Sequence, residues 1–238
     1  MNFAMTRLLL FLLLLGFSYG QTGAKDQATL LAQLADKKKP LTWVITGDSI
    51  THGAWFTNGG RSYPEHLAER VRGEMNRFRD FIINTGISGE VSTGLLKDFE
   101  WRVLRFKPDV VSINLGMNDC VRLPVEQHKK EMQEMIDKAK AAGAIVILHA
   151  TNTVYTESKY AQKLPPFIET VRALAKENDL ILVDHYRNFS EHQQGAEKRD
   201  WFADAIHPNS LGHAHMAAEM FRSIGIYDQK SETCKLAK

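Results

Sequence analysis

Residues 42–53 read TWVITGDSITHG, and the abrupt change of character within that stretch decides the fold. Trp43-Val44-Ile45 is an unbroken apolar run, and Gly47-Asp48-Ser49 stops it with small and polar residues. An apolar run without in/out alternation belongs to a strand covered on both faces. A strand ending at a small-residue corner with a hydroxyl is where an α/β protein carries a nucleophile, at the carboxyl end of its first strand. The tripeptide alone fits a plain strand-to-helix turn with Ser49 as N-cap equally well.

The pattern recurs outward from this stretch. Apolar runs at 41–46, 81–83, 110–115, 144–148 and 180–183 read as five strands. Helical periodicity fills the intervals: 26–38, then 62 to about 78, 92–106, 124–142, 165–178 and 210–224. Ser62 and Glu65 have the spacing of a capping box, Pro124 opens a first helical turn, and Gly143 closes a last one. Residues 184–200 are polar and helical in part. No hairpin signal joins any two strands, so the chain predicts a three-layer α/β/α sandwich with a five-stranded parallel sheet. One domain over residues 26–228 is expected, followed by a loose C-terminal tail, 229–238.

Composition bounds the function. The chain has 238 residues, 44% hydrophobic, and 30 basic side chains against 28 acidic ones leave a net charge of +2. No basic stripe marks a nucleic-acid surface. Residues 1–20 carry one charge, Arg7, then the apolar run 8–15, then small residues ending at Gly20. That is the layout of a secretory signal peptide, too short in its apolar core to span a bilayer, with a single-pass anchor as the competing reading. Export to the periplasm or beyond follows, with no stable membrane insertion after cleavage. In that compartment Cys120 and Cys234 either pair or remain two separate thiols, which spacing cannot decide.

Loops at the carboxyl ends of parallel strands share one rim, where ligands bind. Four polar clusters fall there: Asp48-Ser49, Ser88-Gly89, Gly116-Met117-Asn118-Asp119, and Asp204-Ala205-Ile206-His207. Together they supply what acyl transfer needs. Ser49 is the hydroxyl, His207 a base whose ordinary pKa of about 6.5 suits proton transfer, and Asp204 can hold its tautomer. The backbone N–H groups of Ser49 and Gly89 and the Asn118 amide are donors for an oxyanion. Asp48 reads as a brace for its loop rather than as the acid. His207, His213 and His215 do not form a metal cluster, because positions two apart on a helix point to different faces.

These blocks, GDSI at Ser49, NTGISGE at Gly89, GMND at Asn118 and DAIHPN at His207, resemble the SGNH-hydrolase superfamily of GDSL esterases and lipases, over essentially the whole chain after residue 20. Ile50 stands where leucine is usual. The resemblance implies a flavodoxin-like fold, Ser49 as nucleophile, His207 as base and Asp204 as its orienting acid. It implies an oxyanion hole of Ser49, Gly89 and Asn118, and no metal or organic cofactor. The wording is most similar to secreted bacterial carbohydrate acetylesterases, so the expected substrate is an acylated carbohydrate or another small ester. The alternatives are a lysophospholipase or thioesterase on longer chains, or a non-catalytic carbohydrate-binding protein. His52, Trp55, Asn58 and Arg61, just after the nucleophile, are candidates for lining the substrate site. So is Asn152, which with His149 and Thr151 ends the fourth strand.

Overall fold

The computed structural model describes residues 22–193 and 199–237. Residues 1–20, read above as a signal peptide, lie outside them. Five strands, β1 (Thr42–Gly47), β2 (Phe81–Asn84), β3 (Val110–Asn114), β4 (Ile145–Ala150) and β5 (Ile181–Asp184), form one sheet in the order β2-β1-β3-β4-β5. Every pairing is parallel; Val44 lies beside Ile83 on one side and Val111 on the other. The order reverses between β1 and β3, and in open parallel sheets ligands bind beyond the strand ends at such a switch point.

Helices cover both faces. α1 (Ala24–Ala35), α3 (Tyr63–Ala68) and α10 (Ser210–Ser223) pack on one; α4 (Ser92–Lys97), α7 (Val125–Ala141) and α8 (Pro165–Glu177) on the other. The remaining helices are short or peripheral: α2 (Ser49–His52), α5 (Phe99–Arg102), α6 (Asp119–Arg122), α9 (His185–Gln193) and α11 (Glu232–Lys235). Trp43, Val44, Ile45, Val111, Ile113 and Leu148 have no exposed surface, which is why β1, β3 and β4 carry continuous apolar runs. Burying each such side chain contributes about 1.5–3 kcal/mol.

Several expectations need correction. β2 is an edge strand rather than a buried one, so Phe81 is exposed. The helix expected to reach about residue 78 becomes a π-helical turn at Glu69–Glu74 and ends there. Gly73 weakens that turn, while Arg70 and Glu74 direct their side chains to the C-terminal segment. The helix expected over 92–106 breaks at Asp98 and Val103. Arg102 is drawn inward there to the Glu90 carboxylate and the Thr85 carbonyl. The tail is not loose: α11 docks on Glu74, whose carboxylate accepts from Ser231, Thr233 N–H and the Thr233 hydroxyl. The chain is already ordered at Gly23, whose N–H donates to Asp179.

Candidate active site

The stretch after β1 is not an open loop at its start. Asp48 caps α2, its Oδ1 accepting from the Ile50 N–H at 2.9 Å. Burial pushes the Asp48 carboxyl up to about 7, against the pull of that N–H and with the charge of Asp119 adding to it. Asp48 is therefore the brace expected of it. Ser49 occupies the first helical position, where a backbone N–H has no partner within the helix. Gly47 brings the ends of β1 and β3 together: a Cβ on it would lie 2.2 Å from the Asn114 carbonyl oxygen.

The Ser49 hydroxyl meets His207 across 158 residues of sequence, Oγ to Nε2 at 2.9 Å. His207 Nδ1 lies 2.8 Å from Asp204 Oδ2 and 3.0 Å from Oδ1. Burial tends to raise the Asp204 carboxyl, but the N–H groups of Ile206 and His207 and the imidazole itself hold it below the ordinary carboxylate value. A carboxylate accepts only, so Nδ1 carries the proton and Nε2 is left to accept from Ser49. This arrangement makes a hydroxyl nucleophilic.

A tight loop presents Asp204 and His207. A bridge joins Phe202 to Pro208, and the Ala203 N–H donates to the His207 carbonyl at 2.8 Å. Asn209 bonds the Asp200 and Phe202 carbonyls through its amide while its Oδ1 caps α10. From the β4 side, Asn152 donates to the Ile206 carbonyl at 3.0 Å and to the Thr153 carbonyl at 2.7 Å.

Asn118 is the N-cap residue of α6 and is 6% exposed, and its Nδ2 has no partner among the described residues. Asp119 fixes this corner, accepting from the Ser92 and Gly116 N–H groups and from His128 Nδ1 at 2.9 Å. Gly89 has φ +82°, a left-handed value that disfavours side chains, and its N–H makes no hydrogen bond among the described residues. Three cross-links register its loop against the other two. The Ile87 N–H donates to the Gly47 carbonyl, Ser88 Oγ lies 3.0 Å from His52 Nδ1, and Arg122 donates to the Gly89 carbonyl at 2.6 Å.

The residues expected to line the substrate site separate. His52 is exposed beside Ser88, and Trp55 projects with 85% of its surface exposed. Asn58 is exposed in a left-handed turn. Arg61 turns away to pair with Glu69 at 3.5 Å. Asn152 needs correction: it has no exposed surface and spends its donors on backbone carbonyls, so it positions the His207 loop instead of facing a substrate. His149 and Thr151 are buried likewise, His149 between Ser112 at 2.7 Å and His185 at 2.8 Å. His213 accepts from the Tyr63 N–H and His215 stacks on Trp201, so the two go separate ways.

Both cysteines are free and buried, and burial pushes the Cys120 thiol up to about 12. Among the described residues no cluster of His, Cys, Asp and Glu could hold a metal ion, and no helix is long and apolar enough to cross a membrane. Sequence reasoning missed Phe56, whose ring stacks on His207, and the Asp119–His128 pair beneath Asn118. Phe56 follows an exposed tryptophan in a loop without periodicity, so no pattern betrays it.

Comparison with known proteins gives the family and the fold. Residues 45–215 match the model of the GDSL-like lipase/acylhydrolase family. An acetylxylan esterase of Geobacillus stearothermophilus is 27% identical over 157 residues, 60% of this chain and 72% of that protein. Esterase TesA of Pseudomonas aeruginosa is 28% identical over 180 residues, 75% of this chain and 85% of its own. An uncharacterized protein of Mycoplasma pneumoniae is 32% identical over 119 residues, 48% of this chain but only 13% of that protein's length. The crystal structure of Axe2, the acetylxylan esterase from G. stearothermophilus, superposes with a TM-score of 0.72 at 21% identity, covering 81% of this chain and 97% of that one. The chain belongs to the GDSL-like lipase/acylhydrolase family and, with it, to the carboxylic ester hydrolases.

Proposed function

We propose that this protein is an exported serine esterase that removes a small acyl group, acetyl, from a carbohydrate. The observation that carries the reading is the continuous path Ser49 Oγ–His207 Nε2, His207 Nδ1–Asp204. Ser49 Oγ attacks the ester carbonyl as its proton passes to Nε2. The negative oxygen that forms is met by the Ser49 and Gly89 N–H groups and the Asn118 amide, all free of other partners among the described residues. The intermediate collapses, and the alcohol leaves with the proton from Nε2. Water then attacks the acyl-enzyme through the same base and releases the acid.

Trp55, exposed after the nucleophile, offers a flat apolar face to a sugar ring. The acetylxylan esterase relative supports an acetylated sugar, and the apolar run at 8–15 supports export. One observation favours longer acyl chains instead. A cavity of about 220 Å³ beside the Gly89 loop is lined by Ile87, Trp101 and Phe106, with Arg102 and Arg105 also in its wall.

Hydrolysis of p-nitrophenyl acetate, octanoate and palmitate, with Ser49→Ala as control, tests both readings. Preference for acetate, abolished by Ser49→Ala, is the expected result, and acetate release from acetylated xylan would place the alcohol. Palmitate preference would move the assignment to the longer-chain class. Undiminished activity in Ser49→Ala would end the mechanism.

A further inference from the structure

We infer that Phe56 is a positioning residue whose ring face favours the charged form of His207, and so assists the step in which that charge appears. The Phe56 and His207 rings have centroids 3.5 Å apart and planes 6° from parallel, which leaves almost no lateral offset. Neutral aromatic pairs prefer offset or edge contacts with centroids roughly 4.5–7 Å apart. The nearby all-aromatic pairs behave so: Phe189–Trp201 and Phe189–Phe202 meet edge to face at 5.0 and 5.4 Å. A cation over a ring face is attracted to it instead.

Face-to-face packing on histidine occurs elsewhere, with Trp201 between His192 and His215, so stacking alone does not identify the role. What sets His207 apart is its bonding. It has a hydroxyl on Nε2 and a carboxylate on Nδ1, so it is the ring that gains a proton as Ser49 Oγ bonds to the carbonyl carbon and that carbonyl's π pair moves to oxygen. The imidazolium then lies between the Asp204 carboxylate and the π face of Phe56. His213 of α10 also interacts with it through its charge, and burial holds that histidine well below its ordinary value. An interaction stronger in the transition state than in the resting enzyme accelerates the reaction.

The backbone is committed to this placement. Trp55 has φ 68°, disfavoured for a residue with a side chain, and the reversal sends the Trp55 ring outward and the Phe56 ring onto His207. The turn is closed by Phe56 N–H to the Ala54 carbonyl and by buried Thr57.

The inference rests on the proposed Ser49–His207–Asp204 path, and its test has one arm that does not. Phe56→Leu keeps an apolar cover without the π face, and Phe56→Trp keeps the face. For p-nitrophenyl acetate, Phe56→Leu is expected to lower kcat about 2- to 30-fold with KM little changed, and Phe56→Trp to restore it. The acid limb of kcat/KM against pH should move to lower pH by about 0.4 to 1.5 units in Phe56→Leu. Unchanged kcat and limb, or a loss that Phe56→Trp does not restore with the limb unmoved, would overturn the inference. The second arm is NMR titration of the His207 ring in Ser49→Ala protein, with and without Phe56→Leu. A lower midpoint with leucine supports the role, and an unchanged one overturns it. If Ser49→Ala retained activity the proposed path would fail, yet the ring titration would still judge the stack.

Discussion

At the scale of the residue, the proposed site contains donors that have no partner among the described residues. A buried amide hydrogen left unpaired costs about 1–3 kcal/mol. Asn118 Nδ2 bears that cost next to a rigid Asp119–His128 support. Asn118→Ala is therefore expected to lower kcat about 10²- to 10³-fold with KM nearly unchanged, measured by steady-state hydrolysis of p-nitrophenyl acetate. Ser49 and Asn118 stand out in the sequence as polar corners after apolar strands and Asp204 and His207 as a pair ahead of the last helix, and the structure brings Ser49, His207 and Asp204 within hydrogen-bond reach. Asn152 was misread for a definable reason: an amide can donate as well to a carbonyl beneath the loop as to a ligand above it, and only burial distinguishes the two. Phe56 was invisible because its role is set by a partner far along the chain.

At the scale of the element, one buried arginine organises the entry to the first strand. Arg77 donates to the carbonyls of Leu34, Asp36 and Lys39 and forms a two-pronged pair with Asp80, whose Oδ1 also accepts from the Leu41 N–H. It thus ties the end of α1 to the start of β1 and β2. Arg77→Met would leave Asp80 buried without its charged partner and four carbonyls, that of Gln33 included, short of a donor. The expected loss is about 3–5 kcal/mol, seen as a fall in Tm on the order of 10 °C by calorimetry. Strands and long helices were legible from apolar periodicity. The breaks at Asp98, Val103 and the π-helical turn were not, because Arg102, Arg70 and Glu74 find distant partners there that local propensity cannot register.

At the scale of the whole molecule, acid is expected to weaken the fold. Burial holds His66 and His215 at about 4 and His185 and His213 at about 3, below their ordinary value of 6.5. Each folded-state value is depressed, so the unfolded chain binds the proton first, and stability falls as pH drops from 6.5 towards about 4. The slope is about 1.4 kcal/mol per pH unit for each such group. Asp48 acts oppositely: raised to about 7, it favours the folded state at low pH and loses that advantage as pH rises from 3.8 to about 7. Four histidines outweigh one aspartate, so Tm should decline steadily from pH 7 to pH 5; a flat or rising profile would contradict the buried-histidine account. The free thiols make a separate prediction. Alkylation after denaturation without reductant should add two labels per chain, and reductant should leave Tm unchanged.

The layered architecture and the polar corners after β1, β2 and β3 are local properties, because covered strands are continuously apolar and their ends turn abruptly polar. Tertiary structure alone decided which groups meet. The Ser49–His207 contact, the separate fates of Cys120 and Cys234, the burial of Asn152 and the ring set against His207 all join residues distant in the chain. Their outcome depends on how the crossovers close, and no window of sequence contains that information.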